Sequence, residues 1–291
     1  MSVDETTVSH EVSGAEVHLS GVVHLYSSSE GEVVALRGID LDIPAGELVA
    51  LLGPSGAGKS TVLGLLAGEF PPSAGTVRIG GHDFGSLGPD ALSRLRSEDI
   101  SLVVQGAAAN LLPYATAKEN VWFAQHGARR RGHRPERTAG ELLEQFGASD
   151  LADRRVSDMS MGERQRVALV AGVAVMPRLL LIDEPTSQLA SVERDRVIDT
   201  VLRIHREIEL TVVVVTHDVD VANRFERTVT IRDGRVGAEG RLGVEYAVIG
   251  RDGSLHLPPD VLDLLPPDSL VRVIRLENGV ELRRADEEGS T

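Results

Sequence analysis

Leu48–Leu52 is a short apolar run, and Gly53-Pro54-Ser55-Gly56-Ala57-Gly58-Lys59-Ser60 follows it directly. The octet fits G-x-x-x-x-G-K-[ST], a glycine-rich loop that cradles phosphates. Glycines let the backbone wrap closely and turn its N–H groups inward. The apolar positions after Lys59 fit a helix ending near Gly68, and its N-terminus presents a positive dipole to the same anion. Lys59 supplies a mobile charge for the β- and γ-phosphates, and the Ser60 hydroxyl suits a Mg²⁺ ion. The expected nucleotide-contacting set is Gly53, Ser55, Gly56, Ala57, Gly58, Lys59, Ser60 and Thr61. A loop of this kind requires a buried strand before it and a helix after it, so it constrains the fold to an α/β sheet.

The remaining chain agrees with that class. At 291 residues it has room for one α/β domain and an appendage. Hydrophobic residues make up 42% and aromatic residues only 3%, so the core is aliphatic. A net charge of −14 argues against nucleic acid, which attracts excess Lys and Arg. The run Arg129-Arg130-Arg131 reads as a solvated helix end or loop. With no cysteine there are no disulfides or thiolate metal sites. No apolar run approaches the ~20 residues of a membrane-spanning helix. The start, MSVDETTVSHEVSGAE, has the wrong chemistry for a signal peptide. The expected location is the cytosol, or a membrane reached through a partner.

Residues 1–15 lack periodicity, which predicts a disordered N-terminus. Strands are expected at Val17–Leu25, on both sides of the Pro44-Ala45-Gly46 turn, at Thr76–Ile79 and at residues 100–104. Residues from about 106 to 160 carry helical patterns broken by Gly and Pro and read as an inserted helical subdomain. Then α/β alternation returns: a helix over GERQRVALVAGVAV, a strand at Leu179–Asp183, a helix over RDRVIDTVLRIHREI and a strand at Thr211–Thr216. That alternation predicts a mainly parallel sheet. The second apolar strand ends in Asp183 and Glu184. A parallel strand delivers such residues beside the phosphate loop, where Asp183 can hold Mg²⁺ and Glu184 can orient the attacking water.

Residues 16–242 resemble the ATP-binding subunit of ABC transporters. The discriminating stretch is Met159-Ser160-Met161-Gly162-Glu163, followed by RQRVAL. It is similar to the LSGGQ signature of that family, differing at its first, third and fifth positions. The resemblance implies that the signature of one subunit closes over ATP held by another, with Ser160, Gly162 and Glu163 at that contact. The same stretch also reads as a helix N-cap, Ser160 forming a capping box with Glu163. Gln105 resembles the glutamine that contacts Mg²⁺ and water and couples to the permease. His217 resembles the switch histidine at the γ-phosphate, and Tyr26 is placed to stack on adenine. Stretches such as LLPYATAKENV resemble the branch that serves lipoprotein or macrolide exporters with FtsX-like permeases. The resemblance thus implies Mg²⁺-dependent ATP hydrolysis, a homodimer or heterodimer of ATP-binding subunits, and a membrane permease partner. It places the chain on the inner face of the cell membrane. Rival readings are a nucleotide sensor with weak hydrolysis and an ABC-type ATPase acting on nucleic acid.

Two of the departures from the family pattern bear on the contact between subunits. Met161 stands where glycine is usual, and Ala190 stands where an aspartate normally links the two subunits. The expected consequence is slow turnover or pairing with a different subunit.

Residues 243–291 differ in character. Strand-like segments (AVIGRDGSLHLP, LVRVIRL, GVELRR) flank LPPDVLDLLPPD, which reads as one short helix. The order faintly resembles an AbrB-type swapped-hairpin module. Basic and acidic residues balance there, which favours dimerisation or regulation over DNA binding. An accessory domain packed on the ATPase is the alternative.

Overall fold

The computed structural model describes residues 14–28, 31–129, 137–241, 244–249, 253, 255, 257, 259–266 and 268–285. The proposed disorder of residues 1–13 and the arginines at 130 and 131 lie outside that set. Ala15, by contrast, is buried; its N–H donates to the Arg178 carbonyl, and its own carbonyl accepts from Thr211 Oγ1. The ordered chain thus begins before the first strand.

In chain order the elements are β1 (Val17–Ser28), β2 (Gly31–Ile43), β3 (Leu48–Leu52), α1 (Lys59–Leu66), β4 (Ala74–Ile79), β5 (His82–Asp83), α2 (Pro89–Glu98), β6 (Ile100–Val103), α3 (Ala117–Arg129), α4 (Ala139–Gln145), α5 (Met161–Gly172), β7 (Leu179–Asp183), α6 (Ser191–Ile208), β8 (Thr211–Thr216), α7 (Val219–Ala222), β9 (Arg227–Arg232), β10 (Arg235–Arg241), β11 (Val244–Ala247), α8 (Pro259–Leu264), β12 (Val271–Leu276) and β13 (Gly279–Arg284). β1, β2, β4 and β5 form an antiparallel sheet in the order β2-β1-β4-β5. A larger sheet runs β11-β10-β9-β3-β8-β7-β6. Its pairs from β9 to β6 are parallel, and β10 and β11 add antiparallel edges.

The parallel strands are apolar on both faces because both faces are covered. Alternate residues serve separate cores, as the two-residue strand period requires. Val49, Leu51, Leu179, Leu181, Val213 and Val215 pack with α1 and the antiparallel sheet. Leu48, Ala50, Leu180, Ile182, Val212 and Val214 pack with α5, α6 and the helices of the 106–160 region. Leu111, Val121, Leu142, Leu143, Phe146 and Val156 belong to this second core, so the helical region shares a hydrophobic cluster with one sheet face. α4 and α5 each begin with a capping box, Thr138 with Glu141 and Ser160 with Glu163. This satisfies N–H groups left open at each helix start.

β11 continues the large sheet across residue 243, pairing Arg241 with Val244. An isolated bridge then joins Ile249 to Leu255, within the stretch expected to form short strands. α8 fills part of the proline-bounded stretch, and β12 and β13 pair as a hairpin through Leu276 and Gly279.

Candidate active site

The site lies where four neighbouring parallel strands end. Leu52 pairs with Thr216, Asp183 with Val215, and Val103 with Ile182. The residues just beyond those ends are therefore Gly53, His217, Glu184 and, one residue further along, Gln105. Four candidates separated by up to 164 positions in the chain meet at one sheet edge because parallel strands point the same way.

At Gly53 and Gly58 the phosphate loop has no room for an extra atom. Gly58 adopts φ +103°, and a Cβ there would lie 2.7 Å from Leu36 Cδ2 and 2.9 Å from the Ala35 carbonyl oxygen. A Cβ on Gly53 would collide with the Ile231 carbonyl oxygen. Lys59 is buried, and its ammonium donates to the carbonyls of Gly53 at 2.6 Å and Pro54 at 2.9 Å. Burial pushes the Lys59 pKa down, while the Glu184 and Asp183 carboxylates oppose that shift. Ser60 is exposed at the loop, and Thr61 is buried behind it.

Burial raises the Asp183 pKa, Glu184 raises it further, and Lys59 opposes the shift. Asp183 Oδ1 is buried without a hydrogen-bond partner. Such an oxygen is costly alone and fits a cation ligand. Among the described residues no group of three or more His, Cys, Asp or Glu could hold a metal unaided. A Mg²⁺ ion there would take its other oxygens from nucleotide and water. Glu184 sits at φ +46°, a left-handed conformation that is strained for a side-chain-bearing residue. Its N–H donates to the Val215 carbonyl, which anchors that backbone against β8. Its Oε2 lies 2.8 Å from His217 Nδ1. Gln105, Glu184, Gln188 and Met161 line one cavity of about 320 Å³.

Ser160 caps α5, accepting from the Glu163 N–H at 3.2 Å. Arg154 grips the Glu163 carboxylate with two N–H groups, at 2.6 and 3.2 Å. Arg154 and the Ser160 backbone N–H hold the Glu163 pKa below its ordinary value. Tyr26 stands beside α1, donating to Thr61 Oγ1 at 3.3 Å. Its ring meets His24 edge-on at 4.7 Å and is 43% exposed.

Two contributors were not read from the sequence. Gly234, in the β9–β10 turn, donates its N–H to the Ala57 carbonyl, and its own carbonyl accepts from Arg37 N–H. The Asp233-Gly234 dipeptide marks a turn, but nothing in it says that the turn braces the phosphate loop. The second is Glu193, whose Oε1 accepts from the Ser160 hydroxyl at 2.6 Å. Glu193 lies just before the helix expected over RDRVIDTVLRIHREI, and nothing there signalled that contact.

The pattern of the ABC transporter family matches residues 36–187, which span the phosphate loop, the signature stretch and the acidic strand end. This chain belongs to the ABC transporter family. It is 40% identical over 225 residues to a lipoprotein-releasing system ATP-binding protein LolD of Anaeromyxobacter dehalogenans, covering 77% of this chain and 93% of that protein. It is 38% identical over 229 residues to a macrolide export ATP-binding/permease protein MacB of Rhodopirellula baltica, of which it covers 33%. Among solved structures it resembles the dimeric post-hydrolysis state of the ATP-binding cassette MJ0796 bound to ADP and Pi. That match has a TM-score of 0.67 and 33% identity over 78% of this chain and 98% of that one. The chain is accordingly an ATP-binding and ATP-hydrolysing ABC subunit. Two of its departures from the ABC pattern are exposed: Met161 at the start of α5, and Ala190 at the N-cap of α6, where no side chain caps the helix.

Proposed function

We propose that two ATP-binding subunits sandwich two ATP molecules head to tail and so drive a separate membrane permease. The observation that carries this reading is the convergence of Lys59, Gln105, Glu184 and His217 on one sheet edge. Lys59 leaves the loop carbonyls to meet the β- and γ-phosphates. Ser60, Gln105 and Asp183 are the residues that would hold Mg²⁺, which neutralises phosphate charge when bound. Glu184, oriented by His217, positions the attacking water. Tyr26 stacks on the adenine, and Ser160, Gly162 and Glu163 of the second subunit close over the γ-phosphate.

The LolD-type relatives, covered almost end to end, are the ATP-binding proteins of their systems, and this supports a permease on another chain. We assign its docking site to a groove of about 270 Å³ where Leu102, Leu111, Leu112, Phe123 and Ala124 stand beside Asn110 and Asn120. Phe123 is 61% exposed and Tyr114 on the same region 73%, which suits an amphipathic helix laid into the groove. An FtsX-like permease is the class that the LolD and MacB likenesses favour. Among the described residues no helix is long and apolar enough to cross a membrane, which leaves the proposed inner-face location to that partner. The segment after residue 243 is assigned a dimerising or regulatory role. Its support is the β12–β13 hairpin, where Val273, Leu276 and Val280 are exposed.

Chain mixing tests the head-to-tail arrangement. Lys59→Ala and Ser160→Arg chains are each expected to be inactive, since both composite sites carry a defect. Mixed together, they form dimers with one site doubly defective and the other intact. ATP hydrolysis that returns on mixing supports the arrangement; an inactive mixture whose two chains have exchanged overturns it.

A further inference from the structure

Four helices carry glutamate at the third position after the residue that precedes them: Glu119 in α3, Glu141 in α4, Glu163 in α5 and Glu193 in α6. Glu119 accepts from the Thr116 backbone N–H. In α4 and α5 that glutamate bonds back to the backbone of its own N-cap residue. In α6 the N-cap is Ala190, and the helix has no side-chain cap. Glu193 instead crosses to α5 and accepts the Ser160 hydroxyl proton at 2.6 Å.

The contact is built rather than grazing. A Cβ on Gly162 would lie 2.8 Å from Glu193 Cβ, 3.2 Å from its Cγ and 3.1 Å from its Cδ. Gly162 is buried in the first turn of α5 and has no positive φ, so its requirement is space, and Glu193 fills that space. The carboxylate thus rests on the N-terminus of α5, where a helix favours an anion. Ser160 has one hydroxyl proton to give. Its oxygen already accepts from the Glu163 N–H, and its proton is committed to Glu193.

We propose that Glu193 is an internal stand-in for the γ-phosphate, gating closure of the ATP sandwich. The inference rests on the head-to-tail reading above. A phosphate arriving from the second subunit needs the Ser160 proton and the same positive helix end. It must first displace a negatively charged side chain from both. Glu193 is a positioning residue: it sets the availability of Ser160 and does not touch the reacting atoms. Closure requires two such displacements per dimer. Hydrogen bonds to charged groups are worth enough that releasing one is expected to shift binding by about tenfold, and releasing two by about a hundredfold.

The experiment measures MgATP-dependent dimerisation by sedimentation, in chains carrying Glu184→Gln so that ATP persists. Glu193→Gln keeps the side chain packed over Gly162 but removes its charge; Glu193→Ala removes both charge and acceptor. Both are expected to tighten the dimer, alanine by about a hundredfold and glutamine by less. The glutamine variant decides, because it preserves the packing. An unchanged or weaker dimer with Glu193→Gln overturns the gate and leaves the sandwich standing. If MgATP dimerises none of the chains, Glu193 unaltered included, the head-to-tail reading fails and the gate with it.

Discussion

His217 Nδ1 lies 2.8 Å from Glu184 Oε2, although the two residues come from different strands, 33 positions apart. β7 and β8 are parallel neighbours, and each residue is the first beyond its own strand end. His217 is largely exposed whereas the Glu184 side chain is not, so the pair reaches from the protein interior toward solvent. His217→Ala is expected to lower kcat about a hundredfold, the low end of what a positioned acid–base group contributes. Steady-state hydrolysis at saturating MgATP reads this, with KM for ATP changing much less.

Asp183 is built at the expense of stability. Its Oδ1 is buried without a partner, and burial raises its pKa. A carboxyl with a raised folded pKa binds more protons folded than unfolded between the two values. That contribution therefore strengthens as pH falls through the folded value, and the charged form is penalised at neutral pH. Asp183→Asn is expected to stabilise the nucleotide-free chain at pH 7 by about 1 kcal/mol, or roughly 2–4 °C in Tm. The same substitution should abolish hydrolysis. Thermal melts without and with MgATP check both halves, because the ligand-dependent rise in Tm should shrink.

Glu163 behaves in the opposite sense. Arg154 first, and the Ser160 backbone N–H second, depress its pKa. Stability from a depressed carboxylate is present in full above its unfolded value and is lost as pH falls through the lower folded one. Glu163→Gln should therefore cost a few tenths of a kcal/mol at pH 7, as expected for a partly exposed pair. It should also flatten the loss of stability below pH 4.5, the ordinary glutamate value. Urea denaturation midpoints across acid pH test this.

Gly234 links a distant turn to the phosphate loop. It holds φ +72°, and a Cβ would lie 2.5 Å from the Ala35 carbonyl oxygen. Gly234→Ala is expected to cost about 1–3 kcal/mol of stability. It should also weaken ATP binding, because the N–H that holds Ala57 must move. Titration calorimetry with ATP separates the second effect from the first.

Ala190 leaves the N-terminus of α6 without a side-chain cap. Its φ of −65° and ψ of 155° already suit a capping residue. Ala190→Asp should stabilise the chain by about 0.5–2 kcal/mol, as caps do. A Tm unchanged by this substitution would mean that the first N–H groups of α6 are satisfied some other way.

The legible part of the site was whatever the chain writes locally. Leu48–Ser60 and Leu179–Glu184 each combine a strand with the chemistry that follows its end in one short segment. The Ser160–Glu163 capping box was equally local and is present. Contacts between segments distant in the chain left no mark: Glu193 against Ser160 and Gly234 against Ala57 depend on which elements the sheet order brings together. The sequence changes character near Gly243, yet Val244–Ala247 still pairs with β10, because β11 needs only an edge strand with free hydrogen-bonding groups. Ala15 likewise appeared featureless in sequence, and it is held by one main-chain bond to Arg178 and one from the Thr211 hydroxyl.

The most direct test of the central claim is Mg²⁺-dependent ATP hydrolysis by the purified chain beside Lys59→Ala and Glu184→Gln. The account predicts turnover in the unaltered chain, none in either variant, and ATP binding retained by Glu184→Gln but lost by Lys59→Ala. Hydrolysis persisting at the unaltered rate in Glu184→Gln would contradict it, because the water would then be activated by a group outside the site described.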